Sequence, residues 1–258
     1  MALDLMLYKT EVYSATDVGL VRENNEDFLF SLPDLNFYAL ADGMGGHLAG
    51  EVASKETVTQ ICDFIQSNSL ASQTLQNARK MLYEAIQKVN DKIYRMSHQN
   101  ADFKGMGTTL CCLFLHPKGL IYGHVGDSRI YRVRKEKLEQ ITHDHSLVRE
   151  LIDSGQLNED QADDFHYKNI LTKAIGTESR VDPTVQSDSI LKGDILMMCS
   201  DGLTDLLSEK EMLHILTLQP TDKVADLLVK SAVAKGGFDN VTVVVVKVME
   251  KHASADLP

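Results

Sequence analysis

Three apolar runs along the chain each stop at an aspartate. Asn36 to Ala41 runs into Asp42-Gly43, Leu120 to Val125 into Gly126-Asp127, and Asp194 to Ser200 into Asp201-Gly202. A fourth run does the reverse, with Asp239-Asn240 opening the β-branched stretch Val241 to Val248. Short apolar runs bounded by Gly, Asp and Ser predict strands. Gly107 to His116 and Ser128 to Val133 are further strands on the same grounds. Val58, Ile61, Cys62 and Ile65 recur at helical spacing and predict a helix beginning near Leu48; Ala78, Leu82, Ala85, Ile86, Val89 and Ile93 predict a longer second one. Further helices are expected near Ser146–Ser154, Ser208–Leu216 and Thr221–Ala234. Several strands in succession, without regular βαβ alternation, point to an α+β fold with largely antiparallel sheet. Neither an internal repeat nor a linker-like composition divides the chain, so residues 1–258 read as one domain. The polar stretch Gln156 to Asn169 reads as an exposed insertion, and residues 250–258 as a tail.

Composition narrows the function. Hydrophobic residues make up 43% and charged residues 24% of the 258, an ordinary globular balance. With 37 acidic against 26 basic side chains, the net charge of −11 argues against a nucleic-acid binder. Cys62, Cys111, Cys112 and Cys199 sit among apolar neighbours with no C-x-x-C spacing, so buried, reduced thiols are expected. No cysteine is followed six residues later by arginine, which excludes a cysteine-nucleophile phosphatase loop. The absence of an apolar run of membrane-spanning length and of a signal-like start leads to the expectation of a cytoplasmic protein with no membrane partner.

The carboxylates carry the candidate chemistry. A single Asp-Gly usually marks a tight turn. Here Asp42, Asp127, Asp201 and Asp239 each sit where a predicted strand meets a loop, and Glu26-Asp27 precede the apolar patch Phe28 to Phe30. Strands lying side by side would gather these groups at one rim, where like charges repel unless a cation neutralises them. A hard divalent ion held by oxygen, Mg²⁺ or Mn²⁺, is the usual solution. Gly43-Met44-Gly45-Gly46 could bring backbone oxygen close to such an ion; the alternative is a flexible connection into the helix. No G-x-x-x-x-G-K-[ST] occurs, so a P-loop nucleotidase is not supported.

Nine pieces in order resemble the metal-dependent protein serine/threonine phosphatases of the protein phosphatase 2C (PPM) family, in its compact bacterial branch. They are Thr16-Asp17-Val18-Gly19, Arg22 to Asp27, Ala41 to Gly46, Gly107-Thr108-Thr109, Val125 to Arg129, Thr142 to Ser146, Leu171 to Gly176, Ser200 to Leu203 and Asp239 to Thr242. The resemblance spans about Val12 to Lys247. It implies a four-layer α-β-β-α sandwich, two antiparallel sheets flanked by helices, with two metal ions at one end. It further implies that Asp42 bridges both ions, the Gly43 carbonyl completes the first, and Asp201 and Asp239 hold the second. Glu26 and Asp27 would orient metal-bound waters with Asn240 behind them, Arg22 would grip the phosphate, and Asp127 would help hold a third, weaker ion. The segment at about 145–170 corresponds to the flap beside the site.

The expected activity is hydrolysis of phosphoserine and phosphothreonine on partner proteins that a Ser/Thr kinase has phosphorylated. Attack comes from a metal-bridging water with no covalent intermediate; the protein is expected to act in signal transduction, as a monomer. Met44 stands where many eukaryotic members have the histidine proposed as general acid, so that role is unassigned, with His143 and His145 available. A catalytically silent relative that only binds, or another metal hydrolase such as a nuclease or small-molecule phosphatase, are the competing readings. The intact Arg22, Asp42, Asp201 and Asp239 argue against the first, and the acidic charge against the nuclease.

Overall fold

The computed structural model describes residues 8–45, 48–158, 165, 167, 169–218 and 221–251. Among them, eleven strands alternate with helices: β1 (Tyr8–Asp17), β2 (Asp27–Leu32), β3 (Phe37–Met44), α1 (Leu48–Ser67), α2 (Leu75–Gln99), β4 (Gly107–Thr108), β5 (Leu110–His116), β6 (Gly119–Val125), β7 (Arg129–Arg134), β8 (Lys137–Gln140), α3 (Leu147–Asp153), β9 (Thr184–Asp188), β10 (Ile195–Cys199), α4 (Asp201–Thr204), α5 (Glu209–Leu218), α6 (Val224–Ala234) and β11 (Val241–Lys251). One sheet has the order β1-β11-β10-β7-β8, the other β2-β3-β5-β6-β9 with β4 paired to β3. Every pairing is antiparallel. Flanked by helices on both outer faces, this is the expected α+β sandwich.

Period-two alternation sorts the side chains into layers. Phe37, Ala39 and Ala41 of β3 face the α1–α2 pair, together with Cys112, Phe114 and Ile121. Tyr38 and Leu40, one residue out of phase, lie between the sheets with Cys111, Leu113, Leu196, Met198, Val244 and Val246. On the far side Val241, Val243 and Val245 meet Leu203, Leu228 and Ala232 of the C-terminal helices. The β-branched Val241–Val246 run is thus a strand buried on both faces. All four cysteines are free and buried, and burial pushes the Cys62, Cys112 and Cys199 thiols up to about 12. No described helix is long and apolar enough to cross a membrane.

Several boundaries differ from expectation. Asp42 does not end its strand but lies inside β3, because β2 and β4 extend the ladder through Asp27↔Asp42 and Gly43↔Thr108. The run Gly107 to His116 is split at Thr109, whose N–H is taken by the Asp42 carbonyl at 2.8 Å. Asp201 opens the short helix α4 rather than a loop. Strands β1, β8 and β9 were not expected. Residues 159–164, 166 and 168 of the insertion, Gly46 of the glycine segment and 252–258 of the tail lie outside the described residues.

Candidate metal centre

The inner-face alternation ends in polar residues at one end of the sandwich. The series continues from Leu40 to Asp42, from Leu29 to Asp27, from Cys111 to Thr109, from Met198 to Ser200 and from Val244 to Thr242. Hydrogen bonds tie these ends together. The Ser200 hydroxyl donates to Asp27 Oδ2 at 2.8 Å and accepts from the Thr242 N–H at 3.0 Å. Asp42 N–H donates to Thr109 Oγ1 at 2.9 Å, and Thr109 Oγ1 meets Ser128 Oγ at 2.7 Å. The core therefore stops at a polar floor spanning both sheets.

Above this floor is a cleft of about 560 Å³ lined by Arg22, Glu26, Asp42, Gly43, Met44, Thr109, Asp127, Lys173, Asp201 and Asp239, among others. Five of the anticipated carboxylates thus share one cavity, while Asp27 is buried behind Asp42. Asp42, Asp127 and Asp201 are half-buried by area, each keeping one face on the cleft. Burial, followed by the charges of Asp27, Asp201, Asp127 and Asp239, holds the Asp42 carboxyl well above the usual carboxylate range. Burial followed by Asp127, Asp205 and Asp239 does the same to Asp201. Asp27 is pushed up to about 6 mainly by burial, against the hydrogen bonds of Thr242 and Ser200. Asp127 is pushed up to about 6 by burial and then Asp144.

Asn240 is the clip behind the site. Its amide donates to the carbonyls of Val18 and Asn24, both at 3.0 Å, and its Oδ1 accepts the Glu26 N–H at 2.8 Å. The loop that carries Arg22 and Glu26 is thereby fixed to the strand that follows Asp239. Gly43 sits where a Cβ would fall 2.2 Å from the Gly50 carbonyl oxygen, so only glycine lets α1 approach β3 here. Arg22 reaches across the mouth and donates from Nη2 to Asp239 Oδ2 at 2.7 Å.

Neither histidine considered for the general acid lines the cleft. His145 stacks on His124 with ring centroids 4.5 Å apart. Its Nδ1 accepts the Gly126 N–H at 3.2 Å, which leaves Nε2 to donate to Thr184 Oγ1 at 3.0 Å. Burial and the His124 ring push its pKa down to about 3, so it is a neutral, packed residue that anchors the Gly126-Asp127 turn. His143 is exposed, and its carbonyl accepts from His124 Nε2 at 2.7 Å. Sequence reasoning missed Lys173 in the cleft, and the hydroxyls of Thr109, Ser128 and Ser200 beneath it. All four were quoted only as parts of motifs.

Among the described residues, no three His, Cys, Asp or Glu side chains stand ready-made as a metal site. The donor chemistry nevertheless fits hard divalent ions. Asp201 Oδ1 and Asp27 Oδ1 are buried without a hydrogen-bond partner. The carboxylates crowd one another, and Arg22 and Lys173 are the only Lys or Arg side chains among the described cleft lining. Uncompensated buried oxygen of this kind is what Mg²⁺ or Mn²⁺ coordinates.

An acid-rimmed cleft at the end of an antiparallel α-β-β-α sandwich defines a metal-dependent hydrolase. A family model described as protein phosphatase 2C matches residues 21–232. The chain is 39% identical over 236 residues to a putative protein phosphatase 2C-type of Streptococcus pyogenes serotype M6, covering 90% of this chain and 94% of the relative. It is 37% identical over 247 residues to the protein phosphatase PhpP of Streptococcus pneumoniae, covering 94% and 99%. The serine/threonine phosphatase of S. agalactiae superposes with a TM-score of 0.87 at 38% identity, over 93% of this chain and 100% of that one. The catalytic domain of the serine/threonine phosphatase PstP, crystallised with two manganese ions, gives 0.83 at 34%, over 93% and 99%. This chain belongs to the protein phosphatase 2C family.

Proposed function

We propose that the chain is a single-domain phosphoprotein phosphatase that hydrolyses phosphoserine and phosphothreonine with two Mn²⁺ or Mg²⁺ ions. The observation that carries this is the Asp42 carboxyl, which shares a cleft with Glu26, Asp127, Asp201, Asp239 and two cationic side chains and has Asp27 buried behind it. Asp42 and the Gly43 carbonyl would hold the first ion, with Asp42, Asp201 and Asp239 holding the second. Asp127 would contribute to a third, weaker one. Bound there, the ions would supply a water acidified toward neutral pKa as the nucleophile for phosphorus.

The chain's own residues do the rest. Arg22 uses one donor on Asp239, and its remaining fork is free to take two phosphate oxygens and offset their charge. Glu26 and Asp27 orient water at the acidic floor, and the Asn240 clip keeps Glu26 and Arg22 in register. Met44 offers no proton to the leaving oxygen, and His145 is committed elsewhere, so the leaving group takes its proton from water in the cleft. Kinship with named serine/threonine phosphatases supports a signalling role opposite a Ser/Thr kinase, and a cytoplasmic monomer is part of the same proposal. A panel of phosphopeptides, phospho-sugars and DNA, assayed with Mn²⁺ and with chelator, tests the reading. Metal-dependent turnover of phosphopeptides is the expected result, and turnover of DNA or phospho-sugars alone would refute it.

A further inference from the structure

Among the described residues, several exposed large hydrophobic side chains stand in the chain beside residues that line the acidic cleft. Of the nine such side chains, three directly adjoin residues that line it, Val21, Ile170 and Phe238, and Leu20 and Tyr167 stand two positions from one. Leu20 and Val21 (69% and 63% exposed) precede Arg22, and Phe238 (64%) precedes Asp239. Ile170 (46%) lies between the lining residues Asn169 and Leu171, with Tyr167 (54%) close by in the chain. Scattered single apolar residues need no explanation, but contiguous ones beside a functional cleft mark a contact surface.

The first group is rigidly presented. Leu20 N–H donates to the Gly237 carbonyl at 2.7 Å, and Gly19 N–H to Asp17 Oδ1 at 2.8 Å. Gly19, at φ +80°, lies so close to the facing loop that a Cβ would fall 2.4 Å from the Asp239 carbonyl oxygen. Backbone meets backbone at this junction, so the side chains of Leu20, Val21 and Phe238 are turned out to solvent. The Phe238 ring lies across Gly236, within 2.6 Å of where a Cβ would stand. A platform already ordered loses little entropy when something docks on it.

We propose that these two apolar patches bind hydrophobic residues flanking the phosphorylated residue of the substrate, making the enzyme selective for phosphosites in apolar sequence. This rests on the phosphoprotein phosphatase reading above. The occupant follows from reach: with the phosphate at Arg22, chain neighbours one to three positions away lie within about 4–11 Å of it. The rival occupant is a basic peptide, drawn by the net charge of −11. Yet no acidic side chain interrupts Leu20-Val21 or Gly236-Gly237-Phe238.

The test uses the Mn²⁺-loaded full chain and phosphothreonine peptides of one length, with flanks of Leu/Val/Phe, of Ser/Gln or of Lys. Apolar flanks are expected to raise kcat/KM about tenfold over Ser/Gln flanks. The doubly substituted Leu20→Ser/Phe238→Ser and Tyr167→Ser/Ile170→Ser proteins should each lower that ratio to about threefold or less, with turnover of a small aryl phosphate within about twofold of the parent. All four positions are exposed, and thermal melting checks that the variants fold. Equal rates on apolar and Ser/Gln flanks, a preference for lysine, or an apolar preference that survives in both variants overturns the proposal. Hydrolysis of aryl phosphate with none of any phosphopeptide removes the phosphoprotein reading as well, whereas flat flank preference with active dephosphorylation removes only this one.

Discussion

Removing the guanidinium of Arg22 should cost much activity and little stability, and the structure sets both magnitudes. Arg22 Nη2 and Asp239 Oδ2 are 2.7 Å apart, with the two side chains 50% and 36% exposed. An ion pair so open to water contributes about 0–1 kcal/mol. In a chain of this length Arg22→Ala should therefore move Tm by no more than about 4 °C. Its charge-assisted hydrogen bonds to phosphate are each worth about 1.5–3 kcal/mol. Losing even one should lower kcat/KM by about 10- to 150-fold. Arg22→Lys keeps the charge but not the planar fork, and should fall between the two. Manganese affinity by calorimetry should hold or tighten, because Asp239 Oδ2 is released from the guanidinium. The measurements are aryl phosphate kinetics, melting curves and metal titration on the three proteins. Unchanged kcat/KM alongside a lowered Tm would reduce Arg22 to a surface ion pair and refute the reasoning.

Activity on an aryl phosphate should vanish in chelator and return with Mn²⁺ or Mg²⁺; Asp42→Asn should stay folded yet lose nearly all turnover, and full activity in chelator would exclude the two-metal site. Asp127→Ala should retain the two tighter ions by calorimetry while kcat falls, more for alkyl phosphates, whose leaving group needs a proton, than for aryl phosphates. Wild-type rates on both would leave Asp127 as a turn residue. Shortening the segment from Gln156 to Phe165 should depress activity on phosphoproteins more than on a small aryl phosphate, and equal losses would assign it to support of the fold.

What could be read from sequence was whatever alternation controls. Strand ends carrying Asp42, Asp127, Asp201 and Asp239 stood out because apolar runs stop there, and the sandwich brings those ends to one cleft. Strands β1, β8 and β9 did not stand out. All three lie at the edges of their sheets, where one side pairs and the other meets solvent. Lys137–Gln140 and Thr184–Asp188 accordingly carry a single apolar residue each, Leu138 and Val185, and lack a buried apolar series. Arg22 was legible as a candidate, but its partner Asp239 lies 217 residues away, a pairing only the topology creates. The hydroxyls of Thr109, Ser128 and Ser200 were equally hidden. Serine and threonine punctuate loops everywhere, so nothing local separates a site floor from a turn.

The distribution of arginines explains why most of the carboxylate cluster has no fixed cation beside it. Strand β7, which follows Asp127, carries three of them, Arg129 nearest the site, and each is bound to another acid. Arg129 is paired with Asp144 at 2.7 Å, Arg132 with Asp188 at 2.6 Å and Glu139 at 2.7 Å, and Arg134 with Asp194 at 2.6 Å. Gln140 adds a further bond to Asp144 at 2.9 Å, locking that carboxylate onto Arg129. A guanidinium free to swing toward Asp42 or Asp201 would neutralise them as a metal ion does, and would compete for the same oxygens. Pairing these cations leaves the buried aspartates dependent on a ligand for compensation. Asp144 thus works for the metal centre at a distance, by holding Arg129, whose strand position pairs with Cys199 beside the Ser200-Asp201 corner. The fold accepts a raised carboxyl at Asp42 and an orphaned Oδ1 at Asp201, and the cost is recovered only when a divalent ion binds.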